Sequence, residues 1–417
     1  MSDIPIDELP PEPSTPEGIA SQEAKTTPEI TRSAVEVPGV GPEPSEQLSD
    51  DTLFYEAPSG DVRGQLSYRQ LVWRRFKRNK FATVGGAILC AFYVIAIFAE
   101  FFAPYDYTKD NVRLRYVPPQ AIHIQDATGE WHWPFVYGLA QTRDPLTEEI
   151  TFTQDYSKRY PVRLFQSGYT YRLLGFIPGN IHLYGSHGPV FLLGTDRQGH
   201  DFLSRIIFGS RVSLTIGLIG VSISIILGAL LGTASGYFGG WIDNLIQRLI
   251  EVISSFPSIP LWMALAASLP ATWNSIQVYF AITVILSLIG WGGLARQVRG
   301  KVLATRELDY VLAARAAGAN DWYILNRHIM PTAYSHIIVI ATTSIPGMIL
   351  GETALSFLGL GIRPPMTSWG VLLEEAQRVT VVLNFPWLLA AAVPVVLIVI
   401  AYNFVGDALR DAADPYS

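Results

Sequence analysis

The sequence predicts an all-α integral membrane protein with six transmembrane helices and a small extracytoplasmic insert, and three observations carry that prediction. The 417 residues are 49% hydrophobic and only 16% charged, against roughly 25% charged in an ordinary soluble domain. Apolar runs long enough to cross a bilayer fall at residues 81–103, 212–233, 245–267, 278–294, 334–358 and 387–405. Directly before the first run stand Arg69, Arg74, Arg75, Lys77, Arg78 and Lys80, the basic flank that the positive-inside rule places in the cytoplasm.

Taken in order, residues 1–64 are rich in Pro, Glu, Ser and Thr. They lack the apolar clusters needed to offset the entropy of ordering, so a disordered, acidic, Pro-rich cytoplasmic tail is expected. No basic region leads into an apolar core there, as a secretory signal would require. Residues 65–103 read as an interfacial basic helix followed by the first span, with Trp73 and Phe76 set among the basic residues at headgroup depth. The span beside them makes membrane lipid, and not nucleic acid, the expected partner of these charges. The single cysteine, Cys90, lies inside that span and can form no disulfide within the chain.

Residues 104–205 form the extracytoplasmic insert and an interfacial helix. Strand content is expected near residues 160–165 and 170–174. Trp131, Trp133, Tyr137, Tyr169 and Tyr171 are read mostly as a small core, with contact to a docking protein as the alternative. His123, His132, His182, His187 and His200 are scattered, without Cys or carboxylate partners at metal-ligand spacing, and no metal site is assigned to them. From residue 192 a polar helix is expected to carry Asp196, Arg197, Asp201, Arg205 and Arg211, with each Asp paired to an Arg one turn on.

Residues 206–417 form the transmembrane core. Gly217, Gly220, Ser222, Ser224, Gly228 and Gly232 in the second span permit close helix packing. Glu251, Pro257 and Pro260 interrupt the third run and predict a kink or break. Polar residues inside spans are candidates for a translocation path, here Glu251, Ser344 and Glu352. For Glu251 the alternative is an interfacial role, and for Glu352 a polar contact between packed helices. Alternating the spans puts Arg296, Arg299, Lys301, Arg306, Arg315 and Arg327 on the cytoplasmic face, within a loop at residues 296–333, together with both termini.

Inside that loop lies ELDYVLAARAAGANDWYILNRHIMP, residues 307–331. Leu308, Val311, Leu312, Ala316 and Ala319 recur at helical spacing and predict a short amphipathic helix. Gly318 bends or ends it, and a second short helix over 322–329 is expected to stop at Pro331. Two helices this short cannot cross a bilayer, and one face is too apolar to stand free in water. No Gly-rich loop with Lys and Ser or Thr is present to cradle phosphates, and no convincing nucleophile or carboxylate pair. The chain is therefore read as no enzyme.

This stretch resembles the cytoplasmic coupling loop of binding-protein-dependent ABC importers. LGTDRQGHDFLSRIIFGSRVSLTIG at 193–217, ALSFLGLGIRPPMTSWG at 354–370 and NFVGDALRDAADP at 403–415 resemble segments of oligopeptide and dipeptide permease subunits in the same order. The resemblance implies the type I ABC importer permease fold. Glu307, Tyr310, Ala313, Ala314, Gly318, His328 and Pro331 fall on recurrent positions of the coupling motif. Where the best-known form opens Glu-Ala-Ala, this chain has Tyr310, Val311 and Leu312 before Ala313 and Ala314. The resemblance further implies a second homologous permease, two ATP-binding subunits or domains and a periplasmic solute-binding protein as partners, in a bacterial inner membrane. This chain would bind no cofactor, ATP and Mg acting in the partner subunits. Peptides are the implied cargo; opines, oligosaccharides and nickel complexes stay open. An ion-coupled carrier would leave the paired loop helices without a purpose.

Overall fold

The computed structural model describes residues 68–143 and 150–413; the tail expected at 1–64 lies outside them. Helix α1 (Tyr68–Arg78) carries Arg75, Lys77 and Arg78 in its last turn. Trp73 stacks on Phe76 at 5.8 Å, and Lys77 Nζ sits 5.0 Å from the Trp73 ring. A flat aromatic pair with the Lys77 ammonium over it suits the headgroup layer. Asn79 then caps α2 (Lys80–Ile97), its Oδ1 accepting from the Phe81 and Ala82 backbone.

Among the described residues five helices are long and apolar enough to span a membrane: Lys80–Ile97, Phe202–Phe238, Ser275–Arg306, Asp321–Phe357 and Pro386–Ala412. The sixth expected span is a broken pair, α5 (Gly240–Ser254) and α6 (Ser258–Ala267), bent by 84°. Pro257, with no N–H to give, stands at the break as the sequence predicts. Asp243 of α5 receives two 2.6 Å hydrogen bonds from the Arg299 guanidinium, a bidentate clasp onto the next long helix.

The insert holds more strand than its sequence pattern predicts. Strands β1 (His123–Gln125), β2 (Trp131–Arg143) and β3 (Ile150–Pro161) form an antiparallel sheet, and β4 (Arg163–Leu173) pairs with β5 (Ile177–Gly185) as a hairpin. Strand β2 buries consecutive residues, Phe135 to Gly138, and exposes both ends, so it has no period-two alternation to read. Tyr137 belongs to the buried centre, whereas Trp131 and Trp133 are exposed. The expected aromatic core is thus built from Phe135, Val136 and Tyr137 instead of the tryptophans. His182 pins the hairpin to α3 (Ala99–Phe102), with Nδ1 2.9 Å from the Glu100 carbonyl oxygen.

The expected polar helix from residue 192 is absent. Gly194 and Gly199 turn the chain with positive φ, Thr195 bridges Asp201, and the helix α4 (Phe202–Phe238) starts only after Asp201. Asp196 therefore meets Arg205, nine residues on, and His200 Nδ1 at 2.9 Å. Burial alone would push the Asp196 carboxyl up; the His200 hydrogen bond and the Arg205 charge outweigh it and hold it below its ordinary value. Asp201 meets no Arg and instead caps α4 through Ser204.

Helices α4, α7 (Ser275–Arg306), α10 (Met330–Phe357) and α13 (Ala392–Ala413) pack around one apolar core that includes Leu214, Ile216, Ile282, Leu286, Ile349 and Ile398. Gly217, Gly220, Ser224, Gly228 and Gly232 of α4 face these neighbours, as their spacing predicts, whereas Ser222 is exposed and bonds back to the Leu218 carbonyl of its own helix. At Gly232 a Cβ would lie 2.5 Å from the Ala295 carbonyl oxygen, so backbone meets backbone. Gly232→Leu is expected to force α4 from α7 at a cost of about 3 kcal/mol, read as a lower melting temperature of the purified protein. In the N-terminal third of α4, Arg211 donates to both Glu100 oxygens at 2.8 Å and to the Ala96 and Ile97 carbonyls. Arg211→Ala leaves a half-buried carboxylate and two helix-end carbonyls unmet, and about 2 kcal/mol of stability should be lost. The same melting assay checks it.

Candidate coupling surface

The loop between α7 and α10 is built outward from a buried hinge. Helix α7 ends at Arg306, whose Nη1 donates to the Gly236 and Tyr237 carbonyls at the end of α4. Helix α8 (Asp309–Ala316) buries Val311 against Ile324, Ile329, Val298, Val302 and Tyr237. It ends in a Schellman motif: Gly318 N–H donates to the Arg315 carbonyl and Ala319 N–H to the Ala314 carbonyl, with Gly318 at φ +83°. Asn320 then caps α9 (Asp321–Ile324) by accepting from Tyr323 N–H at 2.7 Å.

Pro331 does not stop the second helix. A π-turn, Leu325–Ile329, follows α9, and α10 continues with Pro331 in its first turn, so Asp321–Phe357 is one long apolar element. The wider π-turn leaves the backbone position of the missing proline N–H without a helical acceptor to satisfy, and the ring is accommodated. The loop is consequently one short helix and the base of a span, held rigidly to the core.

Of the sequence-predicted loop residues, Glu307, Tyr310, Ala313, Gly318 and Pro331 are exposed, while Ala314 and His328 are half-buried. The structure gathers Tyr310 and Tyr323 around His328, with ring centroids 6.0 and 5.6 Å from it. Sequence reasoning missed the contacts that brace this surface. The Tyr237 hydroxyl donates to Asp321 Oδ1 at 2.6 Å, Arg315 lies 5.6 Å from the Tyr237 ring, and Arg306 ties to Glu307. Tyr237 reads as part of a GYFGGW loop, but α4 extends through it to Phe238. Leu308, Tyr310, Leu312, Trp322 and Tyr323 present an apolar face outward, Trp322 with 73% of its surface exposed.

The three candidate path residues do not form one cluster. Glu251 sits exposed in the last turn of α5, joined to Arg248 at 2.8 Å. Ser344 is half-buried in α10. Glu352 is fully buried and accepts hydrogen bonds from Ser213, Ser356 and Ser368. In the insert, the fold brings His132 to Asp126 at 2.9 Å and Glu130 at 3.9 Å, carboxylate partners that the sequence reading did not find. A turn at 126–129 places them opposite the start of β2, and Arg159 already pairs with the same Asp126 oxygen at 2.8 Å.

The family described as binding-protein-dependent transport system inner membrane component matches residues 224–416, and the N-terminal TM domain of oligopeptide transport permease C matches residues 67–119. The dipeptide transport system permease protein DppC of Bacillus subtilis (strain 168) is 30% identical over 354 residues, covering 85% of this chain and 87% of that protein. This chain belongs to the binding-protein-dependent transport permeases. Two further relatives extend the likeness. DppC of Alkalihalophilus pseudofirmus is 30% identical over 91% of this chain and 96% of its own, and the glutathione transport system permease protein GsiD of Pectobacterium atrosepticum is 40% identical over 54% and 72%. Membership makes the chain a multi-pass inner-membrane transport subunit without an ATPase site of its own. As a permease of this family it is one component of a transport system, and its exposed loop face is a candidate for contact with another.

Proposed function

We propose that this chain is one of two homologous membrane-spanning subunits of an ATP-driven importer that moves di- or oligopeptides from a periplasmic binding protein into the cytoplasm. Both termini and the 296–333 loop lie in the cytoplasm in this reading. Two ATP-hydrolysing partners each receive a coupling loop, and here Tyr310, Leu312, Trp322 and Tyr323 fill the partner's groove. The observation that carries the coupling role is this apolar face, exposed yet braced by Arg306, Tyr237 and Asp321. A rigid element can pass a partner's closure to the spans, since α8 packs on the ends of α4 and α7. Peptide cargo rests on the substrates named for the relatives. Glu251, Ser344 and Glu352 are the path candidates, Ser344 the better placed because it is neither sealed nor ion-paired.

The test is purification in mild detergent followed by ATP-dependent uptake into proteoliposomes with a peptide pool. Co-purification of an ATPase and a second permease, with peptide accumulation, supports the reading; a chain that purifies and transports alone overturns it. Leu312→Glu combined with Trp322→Glu should lower ATPase capture at least tenfold while membrane levels hold, because two charges would be buried in an apolar contact.

A further inference from the structure

A second contact surface lies on the insert. The β4–β5 hairpin turns through Arg172, Leu173, Leu174, Gly175, Phe176 and Ile177, a tip with no polar side chain after its arginine. Leu174, Phe176 and Ile177 are 51, 71 and 46% exposed. Hairpin tips that face water favour Asn, Asp and Gly, above all where the backbone is left-handed. Here Leu174 holds φ at +53° beside Gly175 at +86°. Gly175 N–H donates to the Arg172 carbonyl and Phe176 N–H to the Leu173 carbonyl, so the turn is hydrogen-bonded and closed. Leucine is disfavoured in that conformation, which Asn adopts readily. A strained position that presents an apolar side chain, next to two more, marks a surface made to be received by something apolar.

Where the hairpin stands decides what receives it. The first span, Lys80–Ile97, is about 27 Å long, close to the hydrocarbon thickness of a bilayer. Glu100 therefore lies at the bilayer boundary, and Arg211 of α4 pairs with it there at 2.8 Å. The hairpin is tied to that level: the Phe165 ring lies 6.2 Å from Phe101, and His182 Nδ1 lies 2.9 Å from the Glu100 carbonyl oxygen. Its base leans away from the bilayer, with Tyr184 in reach of the charge of Asp201 at the start of α4. From Asp201 to Arg211 that helix rises about 15 Å. From base to tip the hairpin thus runs toward the membrane. Tyr171 packs on His182 with ring centroids 5.1 Å apart, and Leu174 is about 10 Å further along the strand. Charge points the same way. Residues 163–185 hold Arg163 and Arg172 and no Asp or Glu, whereas the other sheet and its turn carry Asp126, Glu130 and Asp155. An apolar tip edged by arginine matches acyl chains under a layer of phosphates. We propose that this tip inserts Leu174, Phe176 and Ile177 into the phospholipid leaflet on the insert's side, with Arg172 among the phosphates. The insert is then anchored to the bilayer at a second point beside the end of the first span. The proposal goes beyond the import reading and does not require it.

The test places the full chain, with its co-purifying membrane partners, in phosphatidylglycerol nanodiscs, the binding protein being left out. On a Cys90→Ala background, Phe176→Cys and, as an exposed control on β3, Gln154→Cys carry the same environment-sensitive fluorophore. Lipid with a shallow spin label should quench the fluorophore at position 176 and spare that at 154, and aqueous iodide should do the reverse. Leu174→Asn removes an apolar side chain yet suits the left-handed turn, so iodide access at 176 should rise about tenfold while the melting temperature in detergent holds. Arg172→Glu should raise the same access about fivefold by setting a negative charge against the phosphates. Iodide quenching as strong at 176 as at 154, or access unchanged in both variants, overturns the proposal. Protection from iodide without quenching by the spin-labelled lipid also overturns it and shows that a protein covers the tip. No readout depends on uptake, so failure here stays distinct from failure of the import reading.

Discussion

Replacing Gly318 with Asp is expected to leave the chain in the membrane at its normal level and to abolish ATP-driven uptake. Gly318 holds φ at +83°, and the space around its Cα is open. A side chain there meets no clash inside the subunit; its cost is the left-handed backbone, roughly 1–2 kcal/mol for an L-residue and less for Asp or Asn. That is too little to unfold a helical core assembled from α4, α7, α10 and α13. The larger consequence is outside the chain. Gly318 closes the Schellman turn that aims α8, and a carboxylate at that point would be carried into the apolar contact proposed above for an ATP-hydrolysing partner. Gly318→Asn separates the two effects, because Asn tolerates the same φ without a charge. Uptake near normal in the Asn variant and absent in the Asp variant locates the defect in docking. Uptake retained in both, at equal subunit levels, removes Gly318 from the coupling surface.

The long apolar runs, the basic flank and the loop between the last-but-one pair of spans were legible because each depends on composition over many residues. Bilayer crossing needs nothing finer than about twenty apolar positions. The break at Pro257 was legible for a local reason, the lost N–H. What depends on two distant segments meeting was not. Asp196 pairs with Arg205 and not with a neighbour one turn away, since Gly194 and Gly199 fold the chain back before the helix starts. Pro331 reads as a stop, yet the π-turn before it lets the helix run on. Tyr237 and Asp321 are 84 positions apart, and no spacing rule joins them. The candidate coupling residues were found as a motif, whereas the braces that make them rigid are tertiary and left no periodic trace.

Glu352→Leu is the replacement expected to damage the subunit most within the membrane. The carboxylate is completely buried, and Oε1 accepts from the Ser356 and Ser368 hydroxyls at 2.6 Å each while Oε2 accepts from Ser213 at 3.2 Å. Each hydroxyl passes the order on: Ser213 accepts from Trp369 N–H, Ser356 from Ile362 N–H, and Ser368 from Val371 N–H, where it caps α11 (Trp369–Glu374). One side chain thus fixes α4, α10 and the segment that joins α10 to α11. Leucine of similar length leaves three hydroxyl donors facing hydrocarbon, and at about 1–3 kcal/mol for each group left unmet the loss should reach roughly 4 kcal/mol. Membrane levels several-fold below normal and a sharply lower melting temperature are the expected readings. Glutamine keeps an oxygen for two of the serines, so Glu352→Gln should cost about 1 kcal/mol and preserve most uptake. This pair of variants also decides between the two readings of the residue. A Gln variant that melts normally but transports nothing would assign the negative charge to the path, since only the charge has been removed; one that is slightly less stable and still transports leaves Glu352 as the buried clasp that its three serines describe.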